Sequence, residues 1–232
     1  MMKTIKNPIL RVFAAVVMAA FIFVLAGSLS EVLEQLTNFP EALEEGYLGI
    51  LLLIFSILAA LVFSKGNLST YGFSIPNKGY YGRVILIILT IEIVSYVILS
   101  FVTISGEEHF VANYSLLRTI YSVWLIASIS EEILTRGFIQ GYLQTLSGNG
   151  IRIGTLFISL PVIVGALFFM SMHIFIILTG IDSILFIFIL ISTFVLGLVA
   201  GYFREKTGSL LPAILAHMCS NIFPFVIEHI VG

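Results

Sequence analysis

The sequence predicts an all-α fold, a polytopic transmembrane bundle of about seven helices, with six to eight as the range. Three observations carry that expectation. Of 232 residues, 59% are hydrophobic and 10% charged, where a soluble domain carries about 25% charged residues; mean hydropathy is +1.12. Apolar runs long enough to cross a hydrocarbon layer recur along the whole chain. The basic residues gather in alternate loops. The net charge of −2 carries no nucleic-acid footprint. A lone cysteine, Cys219, excludes an intramolecular disulfide and a cysteine-rich metal site.

Taken in order, Lys3, Lys6 and Arg11 precede a first apolar run from Ile9 to Leu29. A secretory signal peptide competes for this stretch, with Leu25-Ala26-Gly27-Ser28 as a weak cleavage site. The run is longer than a signal core and many spans follow it, so it reads as an uncleaved first span. Glu31 to Gly46 holds five glutamates and no basic residue, which suits an external loop, part of it an amphipathic helix. Leu48 to Phe63 is a short second span. Ser64 to Arg83 is a polar loop punctuated by Gly66, Gly72, Pro76 and Gly79. Val84 to Ile104 forms the third span and Ser105 to Ser115 an acidic loop containing His109.

Leu116 to about Leu146 is the fourth span, closed by Ser147-Gly148-Asn149-Gly150. The fifth, Ile153 to Thr179, holds Pro161; since proline suits a first helical turn, the span begins near it and residues 153–160 lie at the interface. Ile184 to Phe203 and Ser209 to Val231 complete the set, the last bent by Pro212 and Pro224. With the N-terminus in the cytoplasm, nine of the eleven Lys and Arg fall inside. The chain thus reads as an integral membrane protein, of the plasma membrane if prokaryotic. Two regions follow: N-terminal helices and loops over 1–115, and a chemistry-bearing core over 116–232. Gly137-x-x-x-Gly141 and Gly197-x-x-x-Gly201 read as close-packing faces.

The fourth span carries the anomaly. Glu131, Glu132 and Arg136 stand within six apolar-flanked residues, and each charge costs roughly 2.5–3.5 kcal/mol at the centre of a bilayer. Such groups persist where they find partners inside protein. Glu132 and Arg136 are four apart on a helix and can pair. Glu131 is turned by about 100° and is left free. A buried, unneutralised carboxylate suits a general base. His173 lies in the fifth span. In the last, His217 and Asn221 share a helix face, and their N–H groups suit an oxyanion. Each alone fits a polar contact between helices. Glu92, alone in the third span, suits a protonated acid or a cavity wall. Glu131, His173 and His217 also form a conceivable three-ligand zinc site, so zinc and no metal both stay open.

The ordered motifs Glu131-Glu132-x-x-x-Arg136, Phe169-x-x-x-His173 and His217-x-x-x-Asn221 resemble those of the CPBP intramembrane endopeptidases. That family includes CAAX prenyl proteases and bacteriocin-processing or immunity proteins. The likeness extends through Gly137-Phe138-Ile139-Gln140-Gly141 and Thr207-Gly208-Ser209-Leu210, and covers about residues 120–223. It implies a membrane-embedded peptidase in which Glu131 activates water, His173 holds it, and His217 and Asn221 stabilise the oxyanion. Glu132 and Arg136 would be a supporting pair. The implied partners are a peptide or lipidated protein substrate and the bilayer. Rival readings are a non-catalytic peptide- or bacteriocin-binding immunity or accessory protein of the same fold, and a proton-coupled transporter. Since Glu131 counts to mid-membrane and His217 to nearer its cytoplasmic end, the site requires bent helices or a polar cavity.

Overall fold

The computed structural model describes residues 7–36, 46–76, 80–101 and 115–231, with side chains to Ile227. Most of the two expected acidic loops, with His109, and the side chain of His229 lie outside these residues. Seven helices are described: α1 (Pro8–Leu36), α2 (Gly46–Ser64), α3 (Tyr81–Ser100), α4 (residues 116–142), α5 (Leu160–Met172), α6 (Ser183–Thr207) and α7 (Leu211–Val231). The fold is the expected all-α membrane bundle. Helices α1, α2, α3 and α6 are long and apolar enough to cross a membrane, as is α5 with its 3₁₀ extension to Thr179. The chain is an integral membrane protein. The remaining two, α4 and α7, hold the charged motif and the His217/Asn221 pair.

Helix α1 runs to Leu36, past the expected end at Leu29. No glycine or proline interrupts residues 28–36, and Glu31 stands exposed, so the helix continues beyond its apolar stretch. Pro161 lies in the first turn of α5, as expected, and Pro212, expected to bend the last span, lies in the first turn of α7. A proline there removes no intrahelical bond, so Pro212 does not bend α7 as expected. Pro224 lies inside that helix.

Helix α4 is the axis of the bundle. From Glu132 to Gly141 every residue is buried, because other elements surround it. Its regular turns alternate with π-helical stretches at Thr119–Ala127 and Ile133–Ile139. These wider turns, uncommon outside functional regions, correspond to no residue pattern evident in the sequence. Helices α1 and α2 pack on one side of α4, around Leu52, Phe138 and Leu143. Helices α3, α5, α6 and α7 share a second cluster around Ile88, Phe169, Leu196 and Ala216.

Residues 150–159 depart from the expectation of an interfacial apolar stretch. They form an antiparallel hairpin, β1 (Gly150–Ile153) with β2 (Leu156–Ser159), Ile153 facing Leu156. The two-residue turn is Gly154-Thr155, with Gly154 at φ +59°. A glycine opening a two-residue turn matches the twist of paired strands. Alternation in Ile151-Arg152-Ile153 then places aliphatic and polar residues on opposite faces.

One end of the bundle collects the basic residues. Arg11 donates through Nε and Nη2 to Tyr142 O, at 3.1 and 2.7 Å, capping α4. Arg204 donates to Thr70 O at 3.0 Å. Leu210 N donates to Gly72 O at 2.9 Å, and Ser74 Oγ to Gly208 O at 2.7 Å. Thus the segment after α2 is stitched onto the turn before α7. That turn is set into the bundle: Ser209 is fully buried, Leu210 nearly so, and Leu210 lies beside Gly137 of α4. Helix α7 therefore starts partway down α4, and His217 reaches the level of Glu132 without a bend.

Candidate functional site

Three helices meet around the ring of Phe169. The Arg136 guanidinium lies over it at 4.5 Å from the centroid. The rings of His173 and His217 stand edge-on to it at 5.0 and 5.2 Å. Phe169 is fully buried. Its place one turn before His173 makes it the wall that these residues share; the sequence shows it as part of a motif without showing that role.

Glu132 is the electrostatic centre. Its Oε1 accepts from Arg136 Nη1 at 2.6 Å and lies 3.2 Å from His217 Nδ1. Arg136 Nη1 also donates to Thr135 Oγ1 at 2.7 Å. All three members of this Arg–Glu–His chain are buried, with Glu132 at 0% exposure. The expected Glu132–Arg136 pair is present, and nothing in the sequence signals that His217 joins it from 85 positions away. An ionised Glu132 requires His217 to present Nδ1–H, which turns Nε2 the other way.

Glu131 stands differently. It is half-buried, and its Oε2 is buried without a hydrogen-bond partner among the described residues. Arg136 feels the charge of both carboxylates, that of Glu132 more strongly. Helical spacing places Glu131, five residues before the arginine, about 140° around the axis from it. Only Glu132 makes the bond.

His173 caps the C-terminus of α5, where its Nδ1 donates to Phe169 O at 3.0 Å. A carbonyl can only accept, so Nε2 of the neutral ring is left to accept in turn. Asn221 differs from the free donor that the sequence suggests. Its Nδ2 donates to Val123 O at 3.1 Å and to Ser128 Oγ at 3.0 Å. Both amide hydrogens thus hold α7 against the junction of π- and α-helical turns in α4. Ser128, fully buried, is a site neighbour not anticipated from the sequence; its place one turn before Glu131 and Glu132 is the available sign. Among the described residues no three of His, Cys, Asp and Glu are grouped so as to hold a metal ion. Glu131, His173 and His217 therefore do not fit a zinc centre as arranged.

Two cavities lie elsewhere, one of about 240 Å³ between Phe157, Tyr202, Glu205 and Lys206, the other of about 460 Å³ between the start of α1 and Leu160. Neither is lined by a residue of the site.

Residues 112–223 match a family model described as type II CAAX prenyl endopeptidase, Rce1-like. No curated protein and no solved structure matches the chain. The matched stretch takes in the hairpin, α4, α5 and α6 and most of α7, with every residue of the site around Phe169; α1, α2 and α3 lie outside it.

Proposed function

Since residues 112–223 match the Rce1-like family model of type II CAAX prenyl endopeptidases, we propose that the chain is an intramembrane endopeptidase that hydrolyses a peptide bond of a CAAX-type or other peptide substrate near the membrane surface. The observation that carries the reading is the division of labour between adjacent carboxylates. Each keeps a buried Oε2 without a hydrogen-bond partner among the described residues, but Glu132 Oε1 is held by both Arg136 and His217, while Glu131 makes no ion pair among those residues.

In the proposed reaction Glu131 takes a proton from water, and the hydroxide adds to the scissile carbonyl carbon. His173 Nε2 accepts the second hydrogen of that water and orients it. The electron pair displaced onto the carbonyl oxygen faces His217, which as an imidazolium holds Glu132 through Nδ1–H and the oxyanion through Nε2–H. Asn221 adds a donor by exchanging its bond to Ser128 for one to the oxyanion. Collapse breaks the C–N bond, and the amine leaves with the proton that Glu131 returns. The basic end of the bundle faces the cytoplasm in this reading.

Purified protein in liposomes, offered fluorogenic CAAX-type peptides, tests the proposal. Glu131→Gln should lower kcat by about 10²–10⁴-fold, the range of a general base, with the fold intact; His173→Ala and His217→Ala should also impair turnover. Unchanged turnover in all three removes the mechanism. A Glu131→Gln protein that still supports the biological phenotype favours the peptide-binding accessory reading.

A further inference from the structure

Glu92 is an acidic residue at membrane depth that the proposed reaction leaves unused. Helix α3 buries Val84 and Ile88 fully, and Glu92 follows them at the same spacing of four. The stripe facing the bundle therefore continues into a carboxylate where another aliphatic residue is expected. At that point Glu92 Oε1 accepts a hydrogen bond from Ser220 Oγ of α7. Among the described residues it is the side-chain hydrogen bond that ties α3 to another helix.

Ser220 is a special position in α7. Pro224 lies four residues on, inside the helix, and has no N–H to give to Ser220 O. The helix is thus weakest at Ser220, one turn beyond His217 and next to Asn221. Both of those side chains depend on the rotation of α7: His217 must meet Glu132 at 3.2 Å, and Asn221 must meet Val123 and Ser128. A carboxylate on the neighbouring helix grips the residue where the backbone bond is lost.

We propose that Glu92 is a positioning residue for the hydrolytic reaction: through Ser220 it fixes α7 at its proline turn, so that His217 and Asn221 face α4. The inference rests on the peptidase reading above. It gives α3, outside the family match, a part in the site. Glu92 acts here as a hydrogen-bond acceptor and carries no proton in the reaction.

The experiment uses the full chain in liposomes with two readouts. Glu92→Ala and Ser220→Ala should each lower kcat about tenfold with KM unchanged, and the double variant should be no worse than either single. Glu92→Gln, which keeps the acceptor oxygen, should retain most of the wild-type kcat. The second readout needs no activity. Cys219, the sole cysteine, adjoins Ser220 and packs partly buried on the core beside α3. Its alkylation by N-ethylmaleimide should quicken severalfold in Glu92→Ala and Ser220→Ala but not in Glu92→Gln. Faster alkylation in a chain that cleaves no peptide would sink the peptidase reading and leave the clamp standing. Wild-type kcat and alkylation in both alanine variants, beside an inactive Glu131→Gln, would overturn the clamp alone. Equal losses in Glu92→Gln and Glu92→Ala would overturn it in favour of a proton-carrying Glu92.

Discussion

Glu131 and Glu132 are adjacent and chemically identical, yet their surroundings give them opposite tasks. Glu132 neutralises a fully buried arginine. Removing one member of such a pair strands the other charge and costs about 3–5 kcal/mol. Glu132→Gln is therefore expected to destabilise the protein by about that amount, read from denaturant or thermal unfolding in detergent. Glu131→Gln should shift the same curve little, since Glu131 makes no ion pair among the described residues. Similar curves for the two variants would contradict the assignment of roles. Arg136 itself is only partly served: Nε and Nη2 lack hydrogen-bond partners among the described residues, and the Phe169 ring face takes part of the load through a cation–π contact.

At the scale of elements, close approach decides where the site sits. A Cβ on Gly197 would stand 2.8 Å from Ala166 Cα and 3.3 Å from Arg136 Nη2. The glycine thus lets α6 lie against α5 and leaves room for the guanidinium. Gly197→Ala should cost about 1–3 kcal/mol, the usual penalty of overpacking, and should depress turnover as well because the displaced group orients Glu132; thermal unfolding and kcat on one sample check both. The packing role of Gly197-x-x-x-Gly201 was legible from spacing, as was the pairing of Glu132 with Arg136 four residues on. The hairpin was not, although Gly154-Thr155 between alternating residues is its signal; the apolar character of residues 153–160 suggested an interface segment instead. The π-turns and the reach of His217 to Glu132 had no local sign. The reach of His217 depends on where α7 enters the bundle, which is set by bonds between residues more than a hundred positions apart.

Across the whole molecule, the division expected at residue 115 falls close to the start of the family match at 112. The interactions do not respect that line. Thr70, Gly72 and Ser74 precede it, yet they bond to Arg204, Leu210, Gly208 and Ser209 beyond it. Arg11 caps α4 from the first helix. The end of the bundle that these contacts assemble includes the basic residues Arg11 and Arg204. Glu92 extends the dependence to α3. The two regions therefore read as one cooperative unit.

The inset turn before α7 binds the carboxy-terminal half of the chain to its neighbour. Its Leu210 amide and Ser209 hydroxyl are satisfied by a stretch of chain that a gene trimmed to the family-matched half would discard. Expressed alone, residues 116–232 would leave Leu210 N and Ser209 Oγ without acceptors, each unmet group costing about 1–3 kcal/mol, and would open α2's side of α4 to lipid. Such a fragment should be recovered only as aggregate or degraded chain, and co-expression of residues 1–115 as a separate polypeptide should rescue it. A monodisperse fragment with wild-type hydrolysis would mean that the amino-terminal helices are a later attachment to an engine already complete.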